Sequence, residues 1–410
     1  LHQFITKQMK KKSKYLGNEL NYLAKVLNSE SWTSTGGSWN QALENKFAET
    51  FQSKYAITFN SGTSTLHAAL LAVGVKPGDE VLSPALTVIM DTTATIHANA
   101  VPVYVDIDPE TFNMDPDDLE RKITPKSKAI IIVALYGLPC NMDRIMEIAN
   151  KYGLPVVEDN AQCFLGEYKG KLAGTFGKVA SYSFENSKHI SCGEGGAVTS
   201  NSEELATAAR KISNHGFINS TAKEGRTKLN LDVFQNPNYK RHDEVGWNYR
   251  LSEFNAAVAL AQLERIDSIV DTRIKVANMF LDAINETNCG FLVPQLEPEG
   301  YKSSYWSLAL LFEEERCGLT WQEFRKRYVQ NGGDGIYGAW SVPYLEPVMA
   351  EGNFKKMNPL LYENISYHKG LCPVAEKVQQ KIMQFKTNYR NLDLAQEKTD
   401  IFKQTILEVM

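Results

Sequence analysis

The sequence predicts an α/β protein: a large domain with a mostly parallel mixed sheet flanked by helices, joined to a smaller C-terminal α+β domain. Three observations carry this. Short apolar runs alternate with helical segments between about residues 50 and 200. Beyond residue 200 the texture changes to longer helices with an isolated strand. A chain of 410 residues also exceeds what one simple core holds, so two domains are expected.

The elements follow in order. A helix over 60–74 opens on Asn60, Ser61, Gly62, Thr63 and Ser64, and carries Leu66, Ala69, Leu70 and Val73 at helical spacing. Strands are expected at 80–83, 102–106, 129–135, 156–158 and 179–184. Each is short, apolar and bounded by Gly, Pro, Asp or Asn. A helix over Met142–Tyr152 lies among them and is stopped by Gly153. This alternation suits parallel strands covered on both faces. Segments 202–213 and 252–278 read as long helices, separated by a polar, irregular stretch at 220–241. A strand at 305–312 and a helix at 395–407 complete the smaller unit. The large domain, with an N-terminal helical arm, is placed at 1–265 and the small domain at 266–410.

Composition narrows the function classes. A net charge of −4 gives no reason to expect nucleic-acid binding or attraction to an anionic membrane. There is no run of about 18 apolar residues to span a bilayer. The first 14 residues are polar and basic, unlike a secretory signal. The six cysteines (Cys140, Cys163, Cys192, Cys289, Cys317 and Cys372) include no CxxC pair and no close Cys/His neighbours. No metal site is expected, and a reduced, cytoplasmic protein fits.

Three segments carry chemistry. From Ser181 to Lys188 a strand runs into a loop with a single lysine, and the glycine-rich turn Gly193, Glu194, Gly195, Gly196 follows. Alone, such a lysine reads as a solvated loop residue. At a strand end in an open sheet it stands where ligands bind, and burial favours the neutral amine that forms an imine with an aldehyde. Some 30 residues earlier, Asp159 ends another strand within the run Glu158, Asp159, Asn160, Ala161, Gln162. It is either a turn or N-cap aspartate or the anionic partner of a pyridinium nitrogen. Gly62 and Thr63, at a helix start, offer free backbone N–H groups to a phosphate, though an ordinary N-cap would look the same. Ser183 is a further hydroxyl donor. No GxSxG nucleophile elbow is present, which disfavours an α/β hydrolase.

Taken together, these stations resemble the DegT/StrS-type sugar aminotransferases, fold type I enzymes that depend on pyridoxal 5'-phosphate (PLP). The likeness runs through Trp32 to Gly36, Asn60 to Thr63, Gly78 to Glu80, Val105 to Asp108, Tyr136 and Gly137, Glu158 to Gln162, Ser183 and Phe184 with Lys188, Gly193 to Gly196, and Asn248 to Arg250. It implies that Lys188 binds PLP covalently and moves protons, and that Asp159 partners the ring nitrogen. It further implies Gln162 beside the ring oxygen and Gly62, Thr63 and Ser183 at the phosphate. Asn248 would reach the phosphate of a neighbouring subunit, in a homodimer with shared active sites. Glu194 to Gly196 are given a structural role. Val88 stands where the family has a ring-stacking aromatic, and an aliphatic there packs by dispersion alone.

Some relatives carry histidine in place of the lysine and act as dehydratases. In the family's register the lysine lies six residues before the glutamate of the glycine-rich turn. Lys188 and Glu194 satisfy that spacing, and His189 does not. The reading is therefore transamination of a ketosugar, nucleotide-linked, with L-glutamate as donor, through PLP and its amino form PMP. The alternatives are a ketosugar dehydratase, a cyclitol aminotransferase, or a non-enzymatic regulator or scaffold on the same fold. His67, His97, His189, His215 and Tyr136 are unranked candidates, with His67 and His97 read as structural.

Overall fold

The computed structural model describes residues 14–34, 37–224 and 230–410. Most of the opening basic segment, Thr35 and Gly36, and part of the 220–241 stretch therefore lie outside the described residues. Seven strands form the main sheet: β1 (Tyr55–Phe59), β2 (Glu80–Pro84), β3 (Val101–Val105), β4 (Ser127–Val133), β5 (Val156–Asp159), β6 (Val179–Ser183) and β7 (Gly196–Ser200). Their spatial order is β1-β7-β6-β5-β4-β2-β3. Neighbours from β6 to β3 run parallel, while β7 is antiparallel to both β6 and β1. The sheet is thus mostly parallel and mixed, as expected. The edge strand β1 lies ahead of the first strand expected from the sequence.

Helices cover both faces. In chain order they include α1 (Glu19–Leu27), α2 (Trp39–Thr50), α3 (Gly62–Ala72), α4 (Met90–His97), α5 (Pro116–Lys122), α6 (Met142–Tyr152), α7 (Glu203–Ser213), α8 (Glu253–Leu263), α9 (Ile266–Thr287), α10 (Trp321–Gln330) and α11 (Leu392–Val409). Helix α3 is buried over most of its length and lies under the sheet, with Leu66, Ala69 and Leu70 in the core beside Ile131, Val157 and Val198. On another part of the sheet, Ile130 and Ile132 pack with Ile145 and Ile148 of the amphipathic α6. Gly153, in the left-handed conformation at φ 67°, ends α6 as its sequence predicted.

Two expected elements differ. The helix read over 252–278 is two helices broken at Glu264 and Arg265. Apolar spacing runs on across the break, so periodicity could not show it. Arg265 leaves the helix to bond Glu19 on α1 at 2.6 Å. The strand read from 305 begins at Ser307, because Tyr305 takes a left-handed φ of 44° and turns the chain.

A second sheet, fully antiparallel, joins β8 (Leu292–Pro294), β9 (Ser307–Phe312), β10 (Tyr337–Gly338) and β11 (Ile382–Lys386) in the order β8-β9-β11-β10. It packs against α9, α10 and α11 through Phe280, Phe312, Phe324, Phe385 and Phe402. The chain from Pro343 to Val378 does not stay with this sheet. Tyr344, Cys372 and Ala375 join the core of the large sheet, and the backbone N–H groups of Val374 and Ala375 donate to Asp106 at 3.0 and 2.8 Å. No helix among the described residues is long and apolar enough to cross a membrane.

Candidate active site

The C-terminal ends of β2, β4, β5 and β6, with the head of α3, open onto one cleft of about 810 Å³. This is where parallel sheets present their ligand sites. Of the sequence-predicted residues, Lys188, Asp159, Gln162, Gly62, Thr63, Val88 and Ser183 all line it. Asn248 does not. It is exposed, and its carbonyl accepts from Asn60 Nδ2 at 3.3 Å beside the head of α3.

Asp159 is the last residue of β5, in register between Val133 and Ser181 on the flanking strands. It is buried, and its Oδ1 accepts from Ala161 N at 2.9 Å. Burial raises its pKa, while that N–H and the Lys188 ammonium act the other way. Lys188 shows the converse: desolvation lowers its pKa, opposed by Asp159, Glu185 and Asp91. The amine stands 5.0 Å from the Trp306 ring centre. A desolvated amine is more easily neutral and so more nucleophilic.

The loop that bears Lys188 is held from beneath. Arg273 on α9 donates to the carbonyls of Ser187 and Lys188, and Trp306 Nε1 donates to the Ser187 carbonyl at 2.9 Å. The next residue, His189, turns into the protein. It stacks on Phe164 with ring centres 5.3 Å apart, and its Nε2 lies 3.0 Å from the Ser304 carbonyl. Lys188 is therefore the one of the pair that lines the cleft.

At the far end Ser61 caps α3, its side chain accepting from Ser64 N at 3.1 Å. The N–H groups of Gly62 and Thr63 have no earlier turn to bond. Gly62 faces Ser183 so closely that a Cβ would lie 2.8 Å from the serine Cβ, which brings backbone and hydroxyl into one small cradle. Gly196 is likewise obligatory, since a Cβ would meet the Tyr182 carbonyl at 2.6 Å; this supports a structural role for the turn, although Glu194 itself lines the cleft. Gln162 Oε1 accepts from Tyr136 N at 2.9 Å, which leaves the amide N–H groups to face a ligand. These residues could hold PLP: an amine for its aldehyde, a carboxylate for its ring nitrogen and a cradle for its phosphate.

Comparison with known proteins agrees. The model of the DegT/DnrJ/EryC1/StrS aminotransferase family matches residues 15–387. The chain belongs to this family. It is 38% identical to the GDP-perosamine synthase of Escherichia coli O157:H7 over 295 residues, 72% of this chain and 75% of that protein. It is 41% identical to the UDP-2-acetamido-2-deoxy-3-oxo-D-glucuronate aminotransferase of Pseudomonas aeruginosa over 249 residues, 60% of this chain and 64% of that one. Among solved structures, the aminotransferase from Psychrobacter cryohalolentis superposes with a TM-score of 0.81 at 27% identity, over 95% of this chain and 96% of that one. The fold is that of the family's type I structures.

Several cleft residues escaped the sequence reading. Trp306, Tyr337, Trp340, Lys386 and Asn388 come from the second sheet and its loops, and Glu185 and Met90 from the first. No motif spacing marks them, because they meet the cleft only through tertiary packing. Val88 does lie in the cleft, beside Leu86 and Met90, so that wall is aliphatic. Of the histidines, His67 and His189 are buried outside the cleft lining. Tyr136, another unranked candidate, lines it. No group of three His, Cys, Asp or Glu side chains suited to a metal occurs among the described residues.

Proposed function

We propose that this aminotransferase uses PLP to move the amino group of L-glutamate onto a nucleotide-linked ketosugar in the making of a glycan such as an O-antigen. One observation carries the reading: the part-buried Lys188 amine and the buried Asp159 carboxylate share a cleft that also holds the Gly62–Ser183 cradle. The relatives named for GDP- and UDP-sugars support the substrate class. When bound, PLP supplies the electron sink for charge at the donor Cα and carries the amino group.

The residues then divide the work. Lys188 Nζ, eased toward neutrality by burial, would take the donor Cα proton and carry it during the transfer. With PLP bound, Asp159 would hold a proton on the ring nitrogen, Gln162 would address the ring oxygen, Val88 would pack on the ring, and Gly62, Thr63 and Ser183 would hold the phosphate. The half-open mouth, with Trp340 and Tyr337 exposed, leaves room for a substrate much larger than an amino acid. Asn248 would complete the phosphate site of a second copy in a homodimer; its exposure beside Asn60, outside its own cleft, supports that arrangement. Six unpaired cysteines suit a reducing cytoplasm. The inward turn of His189 speaks against a histidine-type dehydratase.

The test is direct. The purified chain is loaded with PLP, mixed with L-glutamate, and assayed for 2-oxoglutarate, then offered a panel of nucleotide-linked ketosugars with products read by mass spectrometry. Release of 2-oxoglutarate and a product carrying nitrogen from labelled glutamate are expected. A deoxygenated product without nitrogen would replace the reading with dehydration.

A further inference from the structure

Beside Asp159 stands a second acid that the reaction outlined above does not use. Asp91, in the first turn of α4, is fully buried. Thr87 Oγ1 donates to its Oδ2 at 2.7 Å, while its Oδ1 is enclosed and meets no N–H or hydroxyl donor. Its carboxyl neighbours that of Asp159, and each shifts the other's titration. The other titratable or charged groups facing it are Lys188, from the loop after β6, and Tyr104 on β3, whose hydroxyl lies 3.0 Å from Thr92 Oγ1.

Two carboxylates in one water-poor site cannot both stay ionised. An ionised Asp91 would also leave a buried, charged Oδ1 without a donor, which is costly. A protonated Asp91 resolves both difficulties: its hydroxyl donates to Asp159, and its other oxygen still accepts from Thr87. Burial pushes both carboxyls up, but Asp159 Oδ1 keeps the Ala161 N–H to steady its charge while Asp91 Oδ1 has no such donor, so the proton belongs on Asp91.

We propose that Asp91 is a neutral acid that donates its proton in a hydrogen bond to Asp159, so that the pair carries a single negative charge, held on Asp159. This rests on the reading of Asp159 as the partner of the PLP ring nitrogen. Asp91 is then a positioning residue. It fixes the orientation of the Asp159 carboxylate and, by donating to it, makes Asp159 a weaker base that holds the ring proton without removing it. It also ties the end of β2, through Thr87, to the end of β5.

The experiment uses the full-length chain with Asp91→Asn, Asp91→Ala and Asp159→Asn. Asparagine keeps the shape, a donor and an acceptor, but has no acidic proton. The infrared difference spectrum between the wild type and Asp91→Asn, recorded without cofactor at neutral pH, is expected to show loss of a protonated-carboxyl C=O band. PLP affinity by fluorescence titration should stay within about threefold in Asp91→Asn and fall by about tenfold or more in Asp91→Ala, where the donor is gone. If the infrared band is absent, or Asp91→Asn binds PLP as poorly as Asp91→Ala, the proposal is overturned. Should Asp91→Ala fail to fold, the infrared result decides alone. Asp159→Asn separates the two readings: wild-type PLP affinity there would remove Asp159 from the ring nitrogen, whereas the infrared band reports the shared proton with no cofactor present.

Discussion

Arg273 on α9 donates to the backbone carbonyl of Lys188 at 3.2 Å. The same guanidinium reaches the carbonyls of Ser187 at 3.4 Å and Trp306 at 2.7 Å, and Thr387 Oγ1 at 3.1 Å. A helix outside the main sheet thus holds the backbone of the reactive loop. Arg273→Met would leave these acceptors unpaired at a buried site. A loss of about 3 kcal/mol is expected. Arg273→Lys should recover little, because an ammonium lacks the planar fork. Urea unfolding of the three proteins checks both, and a loss under about 0.5 kcal/mol would show that the loop does not depend on this residue.

Lys188→Ala should fold normally, lose the yellow colour of the PLP-bound protein and slow turnover by at least about a hundredfold. His189→Asn should behave in the opposite way. Its ring is a packing element against Phe164, so it should lower thermal stability and keep the colour. Absorbance spectra with thermal melts of both variants distinguish the roles. Colour lost from His189→Asn alone would reverse the assignment.

Gly62→Ala tests the phosphate cradle. The added methyl would overlap Ser183, so either α3 or the end of β6 must shift. A destabilisation of about 1–3 kcal/mol is expected from overpacking, together with weaker PLP binding. Titration with PLP and with free phosphate as competitor reads the second effect. Unchanged affinity would move the phosphate elsewhere.

Glu44 and Arg210 form a buried ion pair, with Arg210 Nη1 and Nη2 donating to the two carboxylate oxygens at 2.9 and 2.8 Å. Glu44 also accepts from Thr58 N at 2.9 Å and so fixes the end of β1, just before the cradle. Glu44→Gln leaves a buried guanidinium without its counter-charge, at a cost of about 3–5 kcal/mol. Chemical denaturation measures it. A near-neutral result would mean that Arg210 finds relief in the Ala222 carbonyl, 3.1 Å away.

His67 gives a pH dependence. Burial first, and the nearby His97 second, draw its pKa from 6.5 down to about 4. Between those values the unfolded chain binds a proton that the folded chain does not, so stability is complete above pH 6.5 and falls as the pH drops through this window. The full effect is on the order of 3 kcal/mol. His67→Gln should flatten this part of the curve of unfolding free energy against pH. An unaltered slope would assign it to other groups.

Much of this was legible in the sequence for identifiable reasons. Strands β2 to β6 announce themselves as β-branched runs between turn residues, and their carboxyl ends carry Asp159, Ser183 and Lys188. The step from Lys188 to Glu194 chose between two adjacent candidates, and the inward turn of His189 agrees with that choice. The break at Arg265 was not legible, because the residues on either side keep helical spacing. Nor was Asp91: a lone aspartate in an apolar, threonine-rich segment reads as a helix-start residue until β2 and β5 are set side by side. Trp306, Tyr337 and Lys386 were hidden for the same reason, since distance along the chain says nothing of which strand ends share a cavity.

The re-entry of residues 343–378 into the large core bears on how new specificities can be engineered. Tyr362 donates to the Ala100 carbonyl at 3.0 Å, Tyr367 to that of Pro102 at 2.8 Å, and Val374 and Ala375 are bound to Asp106. The C-terminal part is therefore not a detachable cassette. A chimera that imports a relative's residues 266–410 must also keep a carboxylate at 106, or the backbone N–H groups at 374 and 375 will arrive with their bonds unmade.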